Sequence, residues 1–446
     1  MRNIIGIRHE DKYLLERRAP LTPLHVARLV SKYDLQFIVQ SSEKRIFSDD
    51  AYRKAGANVV SDLTAANIII GIKEMPDDFF ERSKTYLFFS HVSKGQFQNM
   101  SMLSHLMEMG CNLIDYEKVT DDQGKRLIFF GRYAGIAGMI NTLWTFGRRL
   151  KEMGLTTPFA RIRQAHEYAS LEEARHEISE VGKEIAQHGL PDALHPVVIA
   201  FLGHGNVTQG AQEICSLIPM REVPASKLKA TLENKQLTSN ILIKTVFTKE
   251  EILEPLNPDK EFDLQEYGQH PELYRSKFYQ FLPYINILVN GAYWDVRYPR
   301  HVTKVALADL FSKGVPRLSV IGDISCDPDG SIECTHEGME IENPVFIYDP
   351  LSRTYAMGFD GKGIAVMAVD ILPSELPRES SDSFADVLVN FIRPIADADF
   401  SLPFNQINLP SAIKRGLILF NGQLTPDFEY LKQYLPQKVS TELLIP

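Results

Sequence analysis

From residue 3 to about residue 130, short apolar runs alternate with stretches of helical periodicity, and no other feature restricts the fold so tightly. The runs IIGI, QFIVQ, NIIIGI, YLFFS, CNLIDY and RLIFFG are separated by segments such as TPLHVARLVSKY and LSHLMEM. Strands that alternate with crossover helices build a parallel sheet. Thr22 and then Pro23 mark a helix start, a cap followed by the first helical residue.

A second strand-and-helix pattern opens with PVVIAFLGHGNVTQGAQEICSLI and continues through YINILVNGAYWD and RLSVIGDIS. Two helices precede it. In GRYAGIAGMINTLWTFGRRLKEMG, Ile136, Met139, Ile140, Leu143 and Phe146 recur at helical spacing, while Ala134, Gly135, Ala137 and Gly138 allow another backbone to come close. This segment is expected to bridge two domains. SLEEARHEISEVGKEIAQHG opens with a capping box, Ser170 and Glu173, and stops at Gly189 before Pro191. A chain of 446 residues exceeds what one hydrophobic core serves. The expected class is therefore α/β with two domains, and the final hundred residues, reached without a long linker, return to the first.

A net charge of −9 leaves no basic stripe to neutralise a phosphate backbone, which excludes nucleic acid as a partner. The start, MRNIIGIRHEDK, carries too short an apolar run for a signal peptide or membrane anchor. No later run approaches the roughly 18 apolar residues of a spanning helix. Cys111, Cys215, Cys326 and Cys334 lack paired CxxC spacing, so neither a disulfide scaffold nor a zinc site is expected. The expectation is a soluble, cytoplasmic protein.

Gly203, Gly205 and Gly210 form G-x-G-x4-G between a strand and a helix, close to the dinucleotide fingerprint but with Thr208 where the third glycine normally stands. About 20 residues on, where the ribose-reading residue is expected, stands MREVPASKL. No acid ends that segment. Glu222 lies one position inside it, and Ser226 and Lys227 follow Pro224, so a 2′-phosphate would meet a hydroxyl and a cation. This favours NADPH, with NADH still admitted.

Two strands in the first half each end in an ionisable residue: NIIIGIK delivers Lys73, and YLFFSH delivers His91 with Lys94 behind it. A crossover between them brings both ends to one sheet edge, the edge at which open α/β sheets bind ligands. Arg18 precedes a helix N-terminus, where exposed N–H groups favour an anion. Singly these are ordinary surface or hydrogen-bonded residues. Together they predict a cationic site suited to a dicarboxylate, in which mutual repulsion lowers the lysine and histidine pKa values. Glu117 follows another strand, Arg126 begins the next, and Asp323 ends RLSVIGD, from where it could reach a nicotinamide or cap a helix.

The segments ERRAPLTP, IIIGIKEMP, FFSHVSKGQ, DYEKVTDDQGKR, FGRYAGIAGMI, GHGNVTQGAQEI, YGQHPELYRSKF, NGAYWDVRYPR, GDISCDPDGSIE and LPSELPRE span nearly the full length. In them the chain resembles the lysine-ketoglutarate reductases, the lysine-forming saccharopine dehydrogenases of the alanine dehydrogenase and transhydrogenase fold group. The resemblance implies two Rossmann-like domains with parallel sheets around a cleft. Residues 1–135 with 345–446 would be the substrate domain and 136–344 the dinucleotide-binding domain.

It also implies reductive condensation of L-lysine with 2-oxoglutarate to saccharopine using NAD(P)H. In that reaction Lys73 would be the base, His91 its acid-base partner and Arg18 the holder of a 2-oxoglutarate carboxylate. Lys94, Glu74, Glu117, Arg126 and Asp323 would lie in or beside the cleft, and Asn206 and Val207 would join the glycines at the cofactor. The displaced glycine and the missing acid agree with the bifunctional plant and animal reductases of this family, which use NADPH. Those proteins carry a saccharopine-cleaving domain beyond TPDFEYLKQYLP; here a separate enzyme is expected to perform that step. A homo-oligomer stays open. Two alternatives stand beside this reading: an opine-type dehydrogenase for another amino acid, and a dinucleotide-binding regulator without catalysis.

Overall fold

In the computed structural model, which describes residues 3–233 and 237–436, the first apolar runs become parallel strands. These are β1 (Ile5–Ile7), β2 (Phe37–Gln40), β3 (Asn58–Val60), β4 (Ile68–Ile70), β5 (Thr85–Phe88) and β6 (Asn112–Asp115). They lie in the order β6-β5-β4-β1-β2-β3, every pair parallel. Helix α1 (Pro23–Tyr33) follows β1 and turns His25, Val26 and Leu29 inward. From β1 the chain first builds outward through β2 and β3, then returns to add β4, β5 and β6 on the other side. The reversal falls between β1 and β4, and such a switch point is where the carboxyl ends of an open sheet leave a crevice.

RLIFFG, read from its apolar run as a strand, is not one. Arg126 makes only an isolated bridge with Thr120, Ile128 is buried in the core, and Phe130 stacks on Phe384 at 4.5 Å between ring centroids. An apolar run can serve a core without pairing in a sheet.

The second compact unit comprises Gly131–Leu376. Its elements run α2 (Gly131–Glu152), α3 (Leu171–His188), β7 (Val198–Leu202), α4 (Asn206–Cys215), β8 (Met220–Glu222), α5 (Ala225–Leu232), β9 (Leu242–Phe247), the antiparallel pair β10 (Leu253–Pro255) and β11 (Tyr274–Ser276), β12 (Ile287–Asn290), β13 (Val320–Asp323), β14 (Val345–Asp349), β15 (Thr354–Met357) and β16 (Ile364–Met367). The Ser170 hydroxyl accepts the Glu173 N–H at the start of α3, and Gly189 at φ 75° ends it, as the capping signals require. The main sheet has the order β15-β14-β16-β13-β12-β7-β9-β8, with its switch point between β7 and β12. Helix α2 packs on α4 through glycines. A Cβ on Gly135 would stand 1.8 Å from the Val207 carbonyl oxygen, and one on Gly210 would stand 2.1 Å from that of Arg132.

The other compact unit takes the described residues as far as Phe130 together with those from Pro377 onward. Helix α6 (Pro377–Ala396) joins its core, where the Ser381 hydroxyl accepts the Ala19 N–H at 2.9 Å. Strand β17 (Leu417–Phe420) pairs antiparallel with β6, and β18 (Gln423–Leu424) pairs with β17. The expected return thus occurs, but at residue 377 and not at 345. Residues 345–376 complete the second sheet, since β14 and β16 pair with each other and β16 lies parallel to β13. The other boundary, expected at 135, falls at Gly131, where α2 begins. No helix among the described residues is long and apolar enough to cross a membrane.

Candidate active site

In the first unit the segments after β1, β4, β5 and β6 converge beyond the carboxyl edge. Gly71 ends β4 where a Cβ would stand 2.7 Å from the Met75 methyl, and the chain then turns through Ile72 and Lys73. Buried Glu10, from the segment after β1, accepts both turn N–H groups, that of Ile72 at 2.7 Å and that of Lys73 at 3.0 Å. Burial, with Glu16 nearby, pushes the Glu10 carboxyl up to about 7 against those two hydrogen bonds. The Lys73 ammonium lies 5.5 Å from the centre of the Tyr13 ring.

Arg18 is buried and held side-on by Glu16. Its Nε and Nη2 donate to the carboxylate at 2.8 and 2.5 Å, and its guanidinium lies 4.2 Å over the Phe130 ring. Burial alone would raise the Glu16 carboxyl, but Arg18 and then Lys73 hold it below its ordinary value, which puts the Lys73 charge next to this pair.

His91 has φ 53°, a left-handed conformation rare for residues other than glycine. Such strain, of order 1–3 kcal/mol, persists where surroundings impose it and clusters at functional sites. Its neighbour Ser90 donates to buried Asp115 at the end of β6. The His91 ring sits between two carboxylates, Nδ1 at 3.6 Å from Glu117 and Nε2 at 3.8 Å from Glu74. These are ion-pair and not hydrogen-bond distances. Glu74 continues to Lys12 at 2.9 Å and Glu117 to Arg126 at 3.3 Å, so charge alternates along Lys12, Glu74, His91, Glu117 and Arg126. Lys94 lies near enough to add to the field on Glu117.

The expected cluster of mutually repelling cations is therefore corrected: carboxylates are interleaved with them. For His91 the direction reverses. Burial disfavours its charged form, yet Glu117 and Glu74 outweigh this and raise its pKa above the ordinary value. Burial likewise opposes the charge on Glu117, but His91, Arg126 and Lys94 bring it down to about 2. Because the folded His91 pKa is raised, its contribution to stability is complete below the unfolded value of about 6.5 and disappears as pH rises through the folded value. Glu117→Gln removes one flanking charge. It is expected to move the His91 titration downward, readable from the ring-proton chemical shifts across pH; an unmoved midpoint would mean that Glu117 does not set the charge.

In the second unit Gly203 has φ 100°, and a Cβ there would stand 3.1 Å from the Ala292 nitrogen on the loop after β12. Gly205 precedes α4 without a capping side chain, and a Cβ on it would meet nothing within 4 Å. The first N–H groups of α4, at Asn206 and Val207, thus face an open cradle, the arrangement that binds phosphate. Thr208 is buried and its hydroxyl donates to the Leu202 carbonyl at 3.2 Å. The close approach usually granted by the third glycine comes from the facing loop, where a Cβ on Gly291 would lie 2.7 Å from the Thr208 hydroxyl. Gly210 serves the contact with α2 instead.

Asp323, Ser226 and Lys227 complete the set of residues expected at the cofactor. Asp323 is buried at the end of β13, and its carboxylate accepts from Thr335 at 2.6 Å, Asn290 at 2.8 Å and Ser325 at 2.9 Å, so it braces the loops around the switch point. Burial raises its pKa against those three hydrogen bonds. Ser226 and Lys227 lie in the first turn of α5 after β8, and β8 is separated from β7 by β9. Two strand spacings amount to roughly 10 Å. Strand β8 also stops at Glu222, level with Lys244, three positions before β9 ends.

Sequence reasoning missed Glu10, Glu16 and Tyr13. The signal available was RHEDKYLLERR, a charged stretch directly after β1.

Residues 6–137 match the family model described as alanine dehydrogenase/PNT, N-terminal domain. The chain is 37% identical over 444 residues to alpha-aminoadipic semialdehyde synthase of Arabidopsis thaliana, covering 96% of this chain and 41% of that protein. It is 26% identical to saccharopine dehydrogenase [NAD(+), L-lysine-forming] of Emericella nidulans, covering 89% and 93% of the two chains. The chain thus spans less than half the length of the bifunctional relative. Among solved structures, an L-alanine dehydrogenase superposes with a TM-score of 0.61 at 16% identity, covering 97% of this chain and all of that one. The resemblance read from the motifs, and the α/β class with two largely parallel sheets, are borne out.

Proposed function

We propose, from the premise that this chain is a relative of the alpha-aminoadipic semialdehyde synthases and saccharopine dehydrogenases built on an alanine dehydrogenase/PNT N-terminal domain, that it condenses L-lysine with 2-oxoglutarate and reduces the product to saccharopine. As an oxidoreductase of lysine metabolism it acts on a carbon–nitrogen bond. The single observation that carries the substrate reading is the ring of His91 held between Glu74 and Glu117, with Lys73 preceding Glu74 and the Arg18–Glu16 pair beside Lys73.

In this reading Lys73 takes a proton from the attacking ε-ammonium, leaving a neutral amine to add to the keto carbon of 2-oxoglutarate. His91, whose charged form its two carboxylates favour, gives a proton to the carbinolamine hydroxyl, which departs as water and leaves the protonated imine. One positioned base and one positioned acid suffice for these steps. Arg18 spends Nε and one Nη on Glu16, so its other Nη group can donate to a substrate carboxylate. A bound dihydronicotinamide would supply the hydride that turns the protonated imine into the secondary amine. The turn Gly203–Gly205 and the first turn of α4 would hold the cofactor. Of the two nicotinamide forms we favour NADPH.

Loss of dihydronicotinamide absorbance with 2-oxoglutarate and a panel of amines tests this. L-lysine is expected to give the highest kcat/KM. Oxidation with ornithine or another amino acid but none with lysine would replace the proposal by an opine-type dehydrogenase. Turnover with no amine at all would leave only a dinucleotide-binding regulator.

A further inference from the structure

We propose that Lys249, two residues beyond the end of β9, reads the 2′-phosphate of the dinucleotide and so sets the preference for NADPH. This deepens the reading above and rests on Gly203–Gly205 as the pyrophosphate turn. In a βαβ nucleotide site the adenosine ribose lies over the end of the strand next to the fingerprint strand. In this sheet that neighbour is β9 and not β8, although β8 comes first in the chain.

The register fixes the level. Leu202 pairs with Phe247, so the residue after β9 stands beside Gly203. The fingerprint turn is fastened to this point, for the His204 ring nitrogen Nε2 lies 2.8 Å from the Phe247 carbonyl oxygen and donates to it. What emerges there is a hydroxyl and an ammonium, both exposed. Glu251 is folded back: its carboxylate accepts the Thr248 N–H at 2.8 Å and the Thr248 hydroxyl at 3.1 Å, which leaves Thr248 capped and Lys249 as the cation at this point. Lys249 rests 5.2 Å from the centre of the buried Tyr267 ring and has no carboxylate partner among the described residues. An ammonium held only by an aromatic face gives up little when a phosphate arrives. Burial, then the charge of Lys249, brings nearby His301 down to about 4, so its neutral ring adds no second charge to compete for the anion.

Binding measured without substrate separates this proposal from the reaction. Titration calorimetry of the full chain with NADPH, NADH, 2′,5′-ADP and 5′-AMP would be run for the wild type, Lys249→Ala and Lys227→Ala. A phosphate contact of this type is worth about ten- to a hundredfold in affinity. Lys249→Ala is expected to weaken NADPH and 2′,5′-ADP by that factor and to spare NADH and 5′-AMP. A larger selective loss at Lys227 than at Lys249 would overturn the assignment, as would equal loss of NADH and NADPH, or a wild type that binds 5′-AMP as tightly as 2′,5′-ADP. Should the amine panel fail while these titrations succeed, the lysine reaction falls and the dinucleotide assignment stands.

Discussion

Lys73→Met is expected to lower kcat for lysine-dependent NADPH oxidation by about 10²–10⁴-fold, the range of a lost general base. Methionine keeps most of the unbranched side-chain volume while removing the ammonium and its contact with the Tyr13 ring. The fold should tolerate the change, because what holds the turn after β4 is the Lys73 N–H donating to Glu10, a backbone group that the substitution leaves in place. The result to look for is a fall in kcat with unchanged NADPH affinity and an unchanged melting temperature. A variant that retains more than about a tenth of wild-type turnover would remove Lys73 from the proton-transfer role. His91→Gln, which removes the proposed acid, is the companion measurement.

The second large effect is structural and sits in α2. Gly135→Val would drive a side chain into the Val207 carbonyl, 1.8 Å from the position of its Cβ, and the Ala211 nitrogen, at 2.8 Å. Backbone cannot move aside as the end of a flexible side chain can, so the helices must separate. Overpacking of this kind costs about 1–3 kcal/mol or more, and at the upper end it lowers Tm by roughly 6–12 °C in a unit of this size. Because Val207 lies in the first turn of α4, dinucleotide affinity should fall together with stability. Gly205→Ala separates the two effects. Its Cβ would meet no protein atom within 4 Å, so Tm should hold while NADPH binding weakens by at least about tenfold, or 1.4 kcal/mol. Equal melting temperatures for Gly135→Val and the wild type would show that α2 and α4 are not locked by this contact.

Much of this architecture could be read in the residues, for physical reasons. Strand and helix periodicities differ, so IIGI, NIIIGI and VVIAFL declared themselves, and strand ends marked by Lys73 and His91 fell at one sheet edge. The capping box at Ser170 and the glycines of α2 also carried their own chemistry. What stayed hidden depends on non-local pairing. MREVP follows the fingerprint strand in the chain, but lateral order in a sheet is set by long crossovers, and β9 lies between the two. RLIFFG has a strand's composition and a core plug's role. The partners of the site cations were equally invisible, since Glu10 and Glu16 become neighbours of Lys73 only once β1 and β4 pair. That omission turned a raised histidine pKa into an expected lowering. Asp323 was recognised as important, but three hydrogen bonds that consume its oxygens come from Asn290, Ser325 and Thr335, and no spacing rule reveals them.

The antiparallel partner of β6 comes from Leu417–Phe420, long after all of Gly131–Leu376. During synthesis on a ribosome, the dinucleotide-type unit has its whole sequence available while the other sheet still shows a bare margin at β6. Unpaired margins of this kind invite association with other chains. A nascent chain of this protein therefore passes through a long interval in which one half is complete and the half with Lys73 and His91 waits for its last strands.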